Sequence, residues 1–444
     1  ALAPAIALGL PVGPVSMVMG GIFSLGTLWL VYRYLGTTPA GAWAGVIAAG
    51  FLAADGSFAL WAVGGLETAL FALLVTAGSV SYLREDGRPQ RGLATGLLFA
   101  LATMTRPEGL LVLGVTAVHS AARALAGRRL PGQTDLLRLL GFAALYAPYF
   151  LWRFSYYGYP FPNTYYLKIE TSDRAAQIAR GWAHLGTFLG GHGGWFLPGA
   201  AALAFLGQRL RKATSYLALV VGLFVAYVTY VGGDWSVGRF FVPILPLFYG
   251  LVAFGLIGAY GRLGRLWKEG PPRPIQGMAA ASIVAIAGLL FIGSSLGGES
   301  RLFVKGLEAR RATEARVAMG RWLREHVPQE THLAVDAAGQ IPYFSRLRIL
   351  DLFGPTDPHI ARLAASEEAA ALAGHTKFDF DYFLEQSPDL VVVYDPEGGF
   401  LNPDVGYERA PWVWTDDPDL AGFLTLYRRT GWTPGMAILG EDGR

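Results

Sequence analysis

The sequence predicts a polytopic α-helical membrane domain followed by a C-terminal α/β domain outside the membrane. The 444 residues are 53% hydrophobic and only 16% charged, and their mean hydropathy of +0.37 is too apolar for a soluble protein of this size. The charge is also uneven, because residues 1–297 carry a net charge of +11 and residues 298–444 a net charge of −8. We therefore expect the two segments to face different solvents.

The absence of cysteine excludes several kinds of chemistry. The chain contains no Cys, so it has no disulfide framework, no thiolate nucleophile and no Cys-ligated zinc or iron–sulfur site.

Residues 1–297 contain about ten apolar runs that can cross a bilayer core of about 30 Å. Charged or Pro/Gly-rich breaks separate them. The runs at 40–55 and 92–104 are short and need protein neighbours to span fully. The predicted spans are roughly 14–34, 40–55, 66–83, 92–104, 109–125, 137–153, 193–208, 214–231, 240–261 and 276–297.

The basic residues orient these spans, because Arg and Lys accumulate in short cytoplasmic loops. One set of alternate loops holds 15 of the 21 basic residues of this segment. With that face inside, the C-terminal domain is extracytoplasmic. The first span then runs inward, which predicts a further span and an outer loop upstream of Ala1. Cleavage of a signal peptide would also leave an external start, but we favour the upstream span.

After Gly297-Gly298 the chain becomes charged and its periodicity changes. The pattern predicts an amphipathic helix at 301–326, helical stretches around 357–373 and 378–387, and an edge strand near 421–429. Three further strands are expected at His332 to Val335, Arg348 to Leu352 and Leu390 to Tyr394. No phosphate-binding loop, dinucleotide fingerprint or nucleic-acid patch occurs in this sequence, so neither nucleotides nor nucleic acids are expected partners.

Polar side chains gather at the predicted outer ends of the spans. Ionisable residues within a membrane usually mark ion pathways, and the predicted spans are nearly free of them. A site at the outer surface is therefore favoured over a path through the bilayer. The side chains concerned are Asp55, Glu67, Arg106, Glu108, Arg153, Asn163, Lys168, Asp234 and Arg239.

Two short segments have structural explanations beside functional ones. Glu67 in GGLETALF (64–71) lies in the first turn of a predicted helix, where the macrodipole favours a carboxylate, and this capping role is the favoured one. In TRPEG (105–109), Arg106 and Glu108 can simply pair with each other. Alternatively, Arg106 can bind a phosphate through bidentate hydrogen bonds. The sequence does not separate these two explanations.

Two longer segments combine aromatic, glycine and charged residues. YYGYPFPNTYYLK (156–168) can be an interfacial aromatic belt, but its tyrosines, amide and ammonium also suit a sugar and an anionic headgroup, and we favour that function slightly. In VGGDWSVGRFFVPILPLFYG (231–250), Asp234 and Arg239 can form a structural ion pair. Its glycines also allow the backbone to approach a ligand closely.

These segments, in this order, resemble bacterial GT-C superfamily glycosyltransferases, especially the group of actinobacterial terminal arabinofuranosyltransferases. The likeness covers almost the whole chain and continues through DLFGPTDPHIA (351–361) and GHTKFDFDYFLEQSPDLVVV (374–393). It implies a GT-C type helical bundle in the bacterial plasma membrane. The implied activity is inverting transfer of a sugar from a polyprenyl-phosphate donor to an extracytoplasmic glycan, lipid or protein acceptor.

The resemblance fails at one point. Members of this family use an acidic residue in the first outer loop, commonly in an Asp-Asp motif, whereas the first acidic residue here is Asp55, beyond two predicted spans. We therefore expect the catalytic base upstream of Ala1. If the natural protein begins at Ala1, Asp55 or Asp234 has taken the role, or the chain is an inactive relative.

The resemblance and the residue types together suggest roles for the other candidates. We expect cations to bind the donor phosphate, carboxylates to position these cations, and amide and phenol groups to orient the sugar. No resident cofactor or metal is expected. With a diphosphate donor, however, the outer carboxylates could bind a divalent cation. The assignments are Arg106, Lys168 and Arg239 for the phosphate; Glu67, Glu108 and Asp234 for positioning; Asn163, Tyr165 and Tyr166 for the sugar; and, weakly, His375 and Lys377 for the acceptor side, where ordinary solvated loop residues are the favoured explanation.

Two other functions compete with sugar transfer. A transporter or lipid flippase requires inverted repeats, broken helices at the midplane or buried ionisable residues, and none of these is clear in the sequence. A catalytically silent subunit of a larger complex would explain the missing acid equally well.

Overall fold

A computed structural model describes residues 2–85, 88–128, 130, 132–169, 174–206, 211–234, 238–266, 273–296, 302–363, 377–395 and 399–433. The chain divides into two compact units. Unit 1 comprises Ala1–Pro160 and Ile178–Leu302, and unit 2 comprises Phe161–Gln177 and Phe303–Arg444. The segment 161–177, which the sequence places between two spans, therefore groups with the C-terminal residues.

The described residues form α-helices and one sheet. The helices are α1 (Ala3–Ala7), α2 (Val12–Gly36), α3 (Ala42–Ala54), α4 (Gly56–Ala62), α5 (Thr68–Leu83), α6 (Pro89–Thr105), α7 (Gly109–Ala126), α8 (Gln133–Tyr157), α9 (Asn163–Ile169), α10 (Arg174–Gly191), α11 (Phe196–Ala202), α12 (Arg211–Tyr230), α13 (Leu245–Leu266), α14 (Arg273–Leu296), α15 (Leu302–His326), α16 (Gln340–Ser345), α17 (Pro358–Ala361), α18 (Phe380–Gln386) and α19 (Pro418–Ala421). The strands are β1 (His332–Val335), β2 (Arg348–Asp351), β3 (Leu390–Val393), β4 (Tyr407–Arg409) and β5 (Thr425–Arg429).

Each of the predicted apolar runs overlaps helical structure among the described residues of unit 1. Among the described residues, four helices are long and apolar enough to cross a membrane, namely Val12–Gly36, Gly109–Ala126, Arg211–Tyr230 and Val242–Arg262. The pair α3 and α4 forms a further apolar segment that bends by 69°. The protein is a multi-pass membrane protein, and the count of about ten spans stays a prediction.

Small residues allow the helices of unit 1 to pack closely. Gly92 and Gly96 lie one turn apart on α6 and face α8. A Cβ atom at Gly92 would overlap the carbonyl oxygen of Thr134, and one at Gly96 would overlap that of Arg138. In a membrane, helices associate through such van der Waals packing, because lipid gives them no hydrophobic driving force. The spacing of these two glycines therefore fixes how closely α6 and α8 approach.

We expect Gly96→Ala to destabilise unit 1, because the added methyl group forces α6 away from the carbonyl of Arg138. The expected loss is about 1–3 kcal/mol, which is typical of overpacking. Gly114→Ala on α7 is the control, since its Cβ atom would meet no atom within 4 Å. The melting temperature of the purified full chain in detergent should fall for Gly96→Ala only. Equal melting temperatures for the two variants would contradict this packing.

Unit 2 contains a five-stranded mixed sheet of order β2-β1-β3-β5-β4. β1 pairs in parallel with β2 and β3, whereas β5 pairs antiparallel with β3 and β4. Side chains alternate between the two faces of a strand. Leu333 and Val335 accordingly join an apolar cluster with Leu323, while Ala334 joins a second cluster with Phe383. Both faces of the sheet are thus covered.

The local sequence pattern predicts most of unit 2. β1 has the predicted bounds, and β2, β3 and α15 differ from the prediction by one residue at one end. The strand near 421–429 forms as β5, but the expectation of an edge strand is wrong, because β4 pairs with its outer side. β4 has only three residues, too few to show an alternating pattern. Of the predicted helix at 357–373, the structure describes α17, and residues 364–376 lie outside the described residues.

Candidate functional site

Four of the candidate residues lie in the breaks between helices of unit 1. Glu67 directly precedes α5, and Glu108 directly precedes α7. Arg106 ends α6 with extended backbone angles, φ −148° and ψ 137°, because the following Pro107 disfavours the helical conformation. Arg239 follows Gly238, whose φ of +63° permits the turn. Because they lie at breaks between helices, these four side chains can contact one another.

Glu67 joins the two arginines of this group. Its Oε1 atom accepts hydrogen bonds from Nη1 of Arg106 at 3.2 Å and from Nη2 of Arg239 at 2.9 Å. Its side chain makes no capping hydrogen bond to α5. Glu67 therefore stands at a helix start, as predicted, but its carboxylate binds guanidinium groups. We call Glu67, Arg106, Glu108 and Arg239 the Glu67 cluster.

Arg106 is the more enclosed arginine of the Glu67 cluster. Its Nε and Nη2 atoms donate to the two carboxylate oxygens of Glu108 at 3.3 and 3.0 Å. Its guanidinium lies 4.9 Å from the ring centroid of Phe240 and 5.7 Å from that of Phe71. The predicted pairing of Arg106 with Glu108 is therefore present, and it fixes the guanidinium in one orientation.

Arg239 has more donor capacity left. Beside its bond to Glu67, its Nε atom donates to Oγ1 of Thr68 at 3.4 Å. Its guanidinium lies 5.5 Å from the ring of Trp61. The side chain is 20% exposed, compared with 11% for Arg106. A guanidinium has five N–H donors, and the two hydrogen bonds to Glu67 and Thr68 use only part of them.

Electrostatic interactions favour the ionised forms of Glu67 and Arg106. Burial raises the pKa of Glu67, but the charges of Arg239 and Arg106 outweigh burial, so this pKa lies below its ordinary value. Burial lowers the pKa of Arg106, and the carboxylates of Glu108, Glu67 and Asp234 raise it above its ordinary value. Asp234, which is partly buried, therefore belongs to the electrostatic surroundings of Arg106.

We expect Glu67→Gln to lower the stability of the full chain at pH 7 by about 1 kcal/mol, since solvent screens a carboxylate that is about a third exposed. The folded pKa of Glu67 lies below that of the unfolded chain, about 4.3. Its stabilisation is therefore full above that pH and is lost as the pH falls through the folded value. Melting temperatures of wild type and variant should converge in acid, and a constant difference down to pH 3.5 would refute this assignment.

Asp55 is enclosed at the bend between α3 and α4. It has no exposed surface. Its Oδ1 atom accepts from the amide of Phe58 at 2.8 Å and its Oδ2 atom from the hydroxyl of Tyr249 at 2.6 Å. Nε2 of His192 lies 3.3 Å from Oδ2. These contacts make Asp55 the cap of α4 and part of a buried polar group.

The candidate residues of the aromatic segment belong to unit 2. Asn163 starts α9, and its Nδ2 atom donates to the carbonyl of Pro355 at 3.4 Å. Its Oδ1 atom accepts from Arg362 at 3.4 Å, and the guanidinium of Arg362 lies 4.9 Å from the ring of Tyr166. The ring of Tyr165 stacks on Phe161 at 4.2 Å. Sequence analysis missed Arg362, which directly follows the segment DLFGPTDPHIA.

Three of the sequence candidates in unit 2 remain to be placed. Lys168 lies on α9, but its side chain is outside the described part of the structure, as is the whole of His375. Lys377 is only 1% exposed. Its Nζ atom donates to the carbonyls of Tyr166 and Ala361 at 3.2 and 3.0 Å. Lys377 is thus a buried link between α9 and α17 rather than a solvated loop residue.

Unit 2 also contains a polar cluster of His359, Asp379 and Tyr382, which the sequence analysis did not identify. Nε2 of His359 lies 2.8 Å from Oδ2 of Asp379, and its ring stacks on Tyr382 at 4.1 Å. Hydrogen bonds from the amide of Tyr382 and from His359 lower the pKa of Asp379. Asp357 and Asp379 also cap α17 and α18. The Asp-Pro-His and Asp-Phe-Asp sequences were a signal for such caps.

No metal centre is formed within the described residues. No group of three or more His, Asp or Glu side chains is placed there to hold a metal ion. A divalent cation delivered with the donor stays an open prediction.

Comparison with known proteins supports the fold. Residues 306–433 match the model of a domain of unknown function, DUF8728. No curated protein sequence matches the chain. Several solved structures do. ArnT from Cupriavidus metallidurans bound to undecaprenyl phosphate is 14% identical with a TM-score of 0.58, and the match covers 94% of this chain and 83% of ArnT. The chain has the GT-C fold.

Two further structures are similar. The apo state of the same ArnT is 14% identical with a TM-score of 0.59, and the match covers 93% of this chain and 83% of ArnT. The mycobacterial arabinofuranosyltransferase AftD is 17% identical with a TM-score of 0.47, and the match covers 97% of this chain and 35% of AftD. The predicted GT-C type helical bundle with a small C-terminal α/β domain is confirmed.

Proposed function

We propose that the protein is a membrane glycosyltransferase that moves a sugar from a polyprenyl-phosphate-linked donor to an extracytoplasmic glycan, lipid or protein acceptor. The observation that carries this proposal is the convergence of Arg106 and Arg239 on Glu67 in a helical bundle of GT-C fold. ArnT, which shares this fold, was crystallised with undecaprenyl phosphate. A polyprenyl phosphate is therefore a ligand that this architecture can accommodate.

The two arginines suit a phosphate leaving group in different ways. When the bond between the anomeric carbon and the phosphate oxygen breaks, negative charge grows on the phosphate, and preorganised cations stabilise that charge. Arg106 contributes a charge held in place by Glu108, with aromatic rings excluding water. Arg239 contributes N–H donors that can reach the phosphate. Lys168 of unit 2 is proposed as the third cation.

The acceptor side of the reaction requires a carboxylate. In an inverting transfer, the base removes the proton of the acceptor hydroxyl as its oxygen attacks the anomeric carbon, through an oxocarbenium-like transition state. Within this chain Asp234 is the better candidate, because it is partly exposed and close to Arg106 in electrostatic terms. Asp55 is buried and fully engaged as a cap. An acidic residue encoded upstream of Ala1 is the alternative.

The remaining assignments complete the proposal. Asn163, Tyr165 and Tyr166 orient the sugar or headgroup, and His375 and Lys377 belong to the acceptor side. Glu67 and Glu108 position the cations. We place the protein in the bacterial plasma membrane with unit 2 outside, which is supported by the distribution of the 15 basic residues over alternate loops.

We expect Arg239→Ala to lower sugar transfer about 100-fold or more, which is typical for the loss of one charge-stabilising donor. Its melting temperature should change little. Arg106→Ala should lower both activity and stability, because it leaves Glu108 without its bidentate partner. Arg123→Ala is the matched control, since Arg123 lies at the other end of α7 and is exposed. The assay measures transfer from a panel of labelled polyprenyl-phosphate sugars in membranes that contain the full chain.

The same assay separates the competing functions. Full transfer by Arg239→Ala would exclude that residue from the phosphate site. Movement of the intact labelled lipid across the membrane without transfer would identify a flippase instead. Neither transfer nor movement with any donor would favour a catalytically silent subunit.

We expect Asp234→Asn to lose activity and Asp55→Asn to lose stability. Asp234→Asn should abolish transfer while the melting temperature is kept. Asp55→Asn removes the charge opposite His192 and replaces one of the two acceptor oxygens, which face Phe58 and Tyr249, with a nitrogen that cannot accept, so we expect about 1–3 kcal/mol lower stability. Wild-type activity in Asp234→Asn would place the base elsewhere.

A further inference from the structure

A basic cavity lies at the end of unit 1 opposite the Glu67 cluster. α5 runs from Glu67 towards Arg84, and α6 runs from Arg88 towards Arg106, so Arg84, Arg88 and Arg91 lie at the other end of these helices. There the structure contains a cavity of about 650 Å³. Its lining comprises Tyr34, Thr37, Thr38, Pro39, Leu83, Arg84, Arg88, Arg91, Lys212 and Ala213.

The positive charge of this cavity is not balanced by carboxylates in the part of the chain that the structure describes. Arg84, Arg88 and Arg91 form no ion pair with a described residue. Among the described residues, Glu85 is the carboxylate next to Arg84, but it binds Arg138 through two hydrogen bonds of 2.6 and 3.1 Å, and both side chains are buried. The described residues of the cavity therefore present an excess of cations.

Two of the cations also have a structural role. Nη2 of Arg84 donates to Oγ1 of Thr37 at 3.1 Å, just beyond the end of α2. Nζ of Lys212 donates to the carbonyl of Leu83 at 3.1 Å, at the end of α5. Cations at helix C-termini are favourable and common. The partner of Arg84 is a neutral hydroxyl, and a guanidinium has five N–H donors, so Arg84 keeps donors for an anion.

Arg88 is not explained by helix capping. It is exposed, and it stands at the start of the 17-residue helix α6 without a side-chain capping bond. The N-terminus of a helix carries partial positive charge, so it disfavours a cation and favours an anion. Arg91, one turn further, donates to the carbonyl of Arg84. A negatively charged ligand would relieve the unfavourable position of Arg88 and satisfy the donors around it.

We propose that this cavity binds the phosphate group of an anionic membrane lipid. Its volume lies within the range of small-molecule sites and exceeds what an inorganic phosphate fills, and its lining combines cations with apolar side chains such as Leu83 and Pro39. The cations belong to loops that the sequence assigns to the cytoplasmic side, where anionic lipids attract basic residues. This site is separate from the proposed donor site and does not depend on it.

The proposal can be tested by native mass spectrometry of the purified full chain with phosphatidylglycerol and, for comparison, phosphatidylcholine. We expect selective retention of phosphatidylglycerol. Arg88→Gln should weaken it roughly 5-fold, and the double variant Arg88→Gln/Arg91→Gln roughly 30-fold, as expected for the loss of one and two cations near a lipid phosphate. Arg88→Lys should retain most of the affinity. Arg33→Gln is the control, because Arg33 is exposed in the last turn of α2 and does not line the cavity.

Three results would overturn the proposal. The first is equal retention of the two lipids by the wild-type protein. The second is wild-type affinity for phosphatidylglycerol in the double variant, whose folding is verified by its melting temperature. The third is a soluble ligand: if glycerol phosphate stabilises the wild type but not the double variant, and phosphatidylglycerol is not retained, the site takes a free phosphate ester rather than a lipid.

Discussion

One carboxylate oxygen, Oε1 of Glu67, holds two guanidinium groups together, and the chemistry proposed for unit 1 depends on it. Arg106 and Arg239 lie 39 and 172 positions from Glu67 in sequence. Two positive charges that contact the same carboxylate oxygen repel each other strongly where water is excluded. Glu67 offsets that repulsion, and the rings of Phe240 and Trp61 lie against the two cations. Without the carboxylate of Glu67, the repulsion between Arg106 and Arg239 would favour their separation.

The position of the cluster follows from the constraints of a membrane. Backbone groups must be satisfied within helices in the hydrocarbon region, so irregular backbone and charged side chains are confined to the helix ends. Pro107 and Gly238 supply such breaks at one end of the bundle, where they expose Arg106 and Arg239. At the other end, the break between α5 and α6 carries Arg84 and Arg88. The same constraint thus creates two charged regions, and these differ in their numbers of carboxylate and cationic side chains.

Local sequence patterns predicted the helices and most strands because apolar runs and alternating residues act over a few neighbours. They also singled out Arg106, Glu108 and Arg239, since charged residues at the ends of apolar helices are conspicuous. They did not reveal that Glu67 bridges two arginines or that Lys377 is buried, because both depend on contacts between distant segments. The grouping of α9 with unit 2 and the pairing of β4 with β5 also depend on contacts between distant segments, so local patterns did not predict them.

The charge balance of the Glu67 cluster indicates which group exchanges partners when an anion binds. Two carboxylates, Glu67 and Glu108, already balance the two guanidiniums. Arg106 is held by both oxygens of Glu108 and lies against Phe240, and such a bidentate pair is the harder one to break. Arg239 shares a single oxygen of Glu67 and is more exposed. In the proposed donor site, a phosphate therefore competes with Glu67 for Arg239, while the charge of Arg106 stays in place. This division lets the site bind and release an anion without dismantling the ion pair that fixes the helix ends.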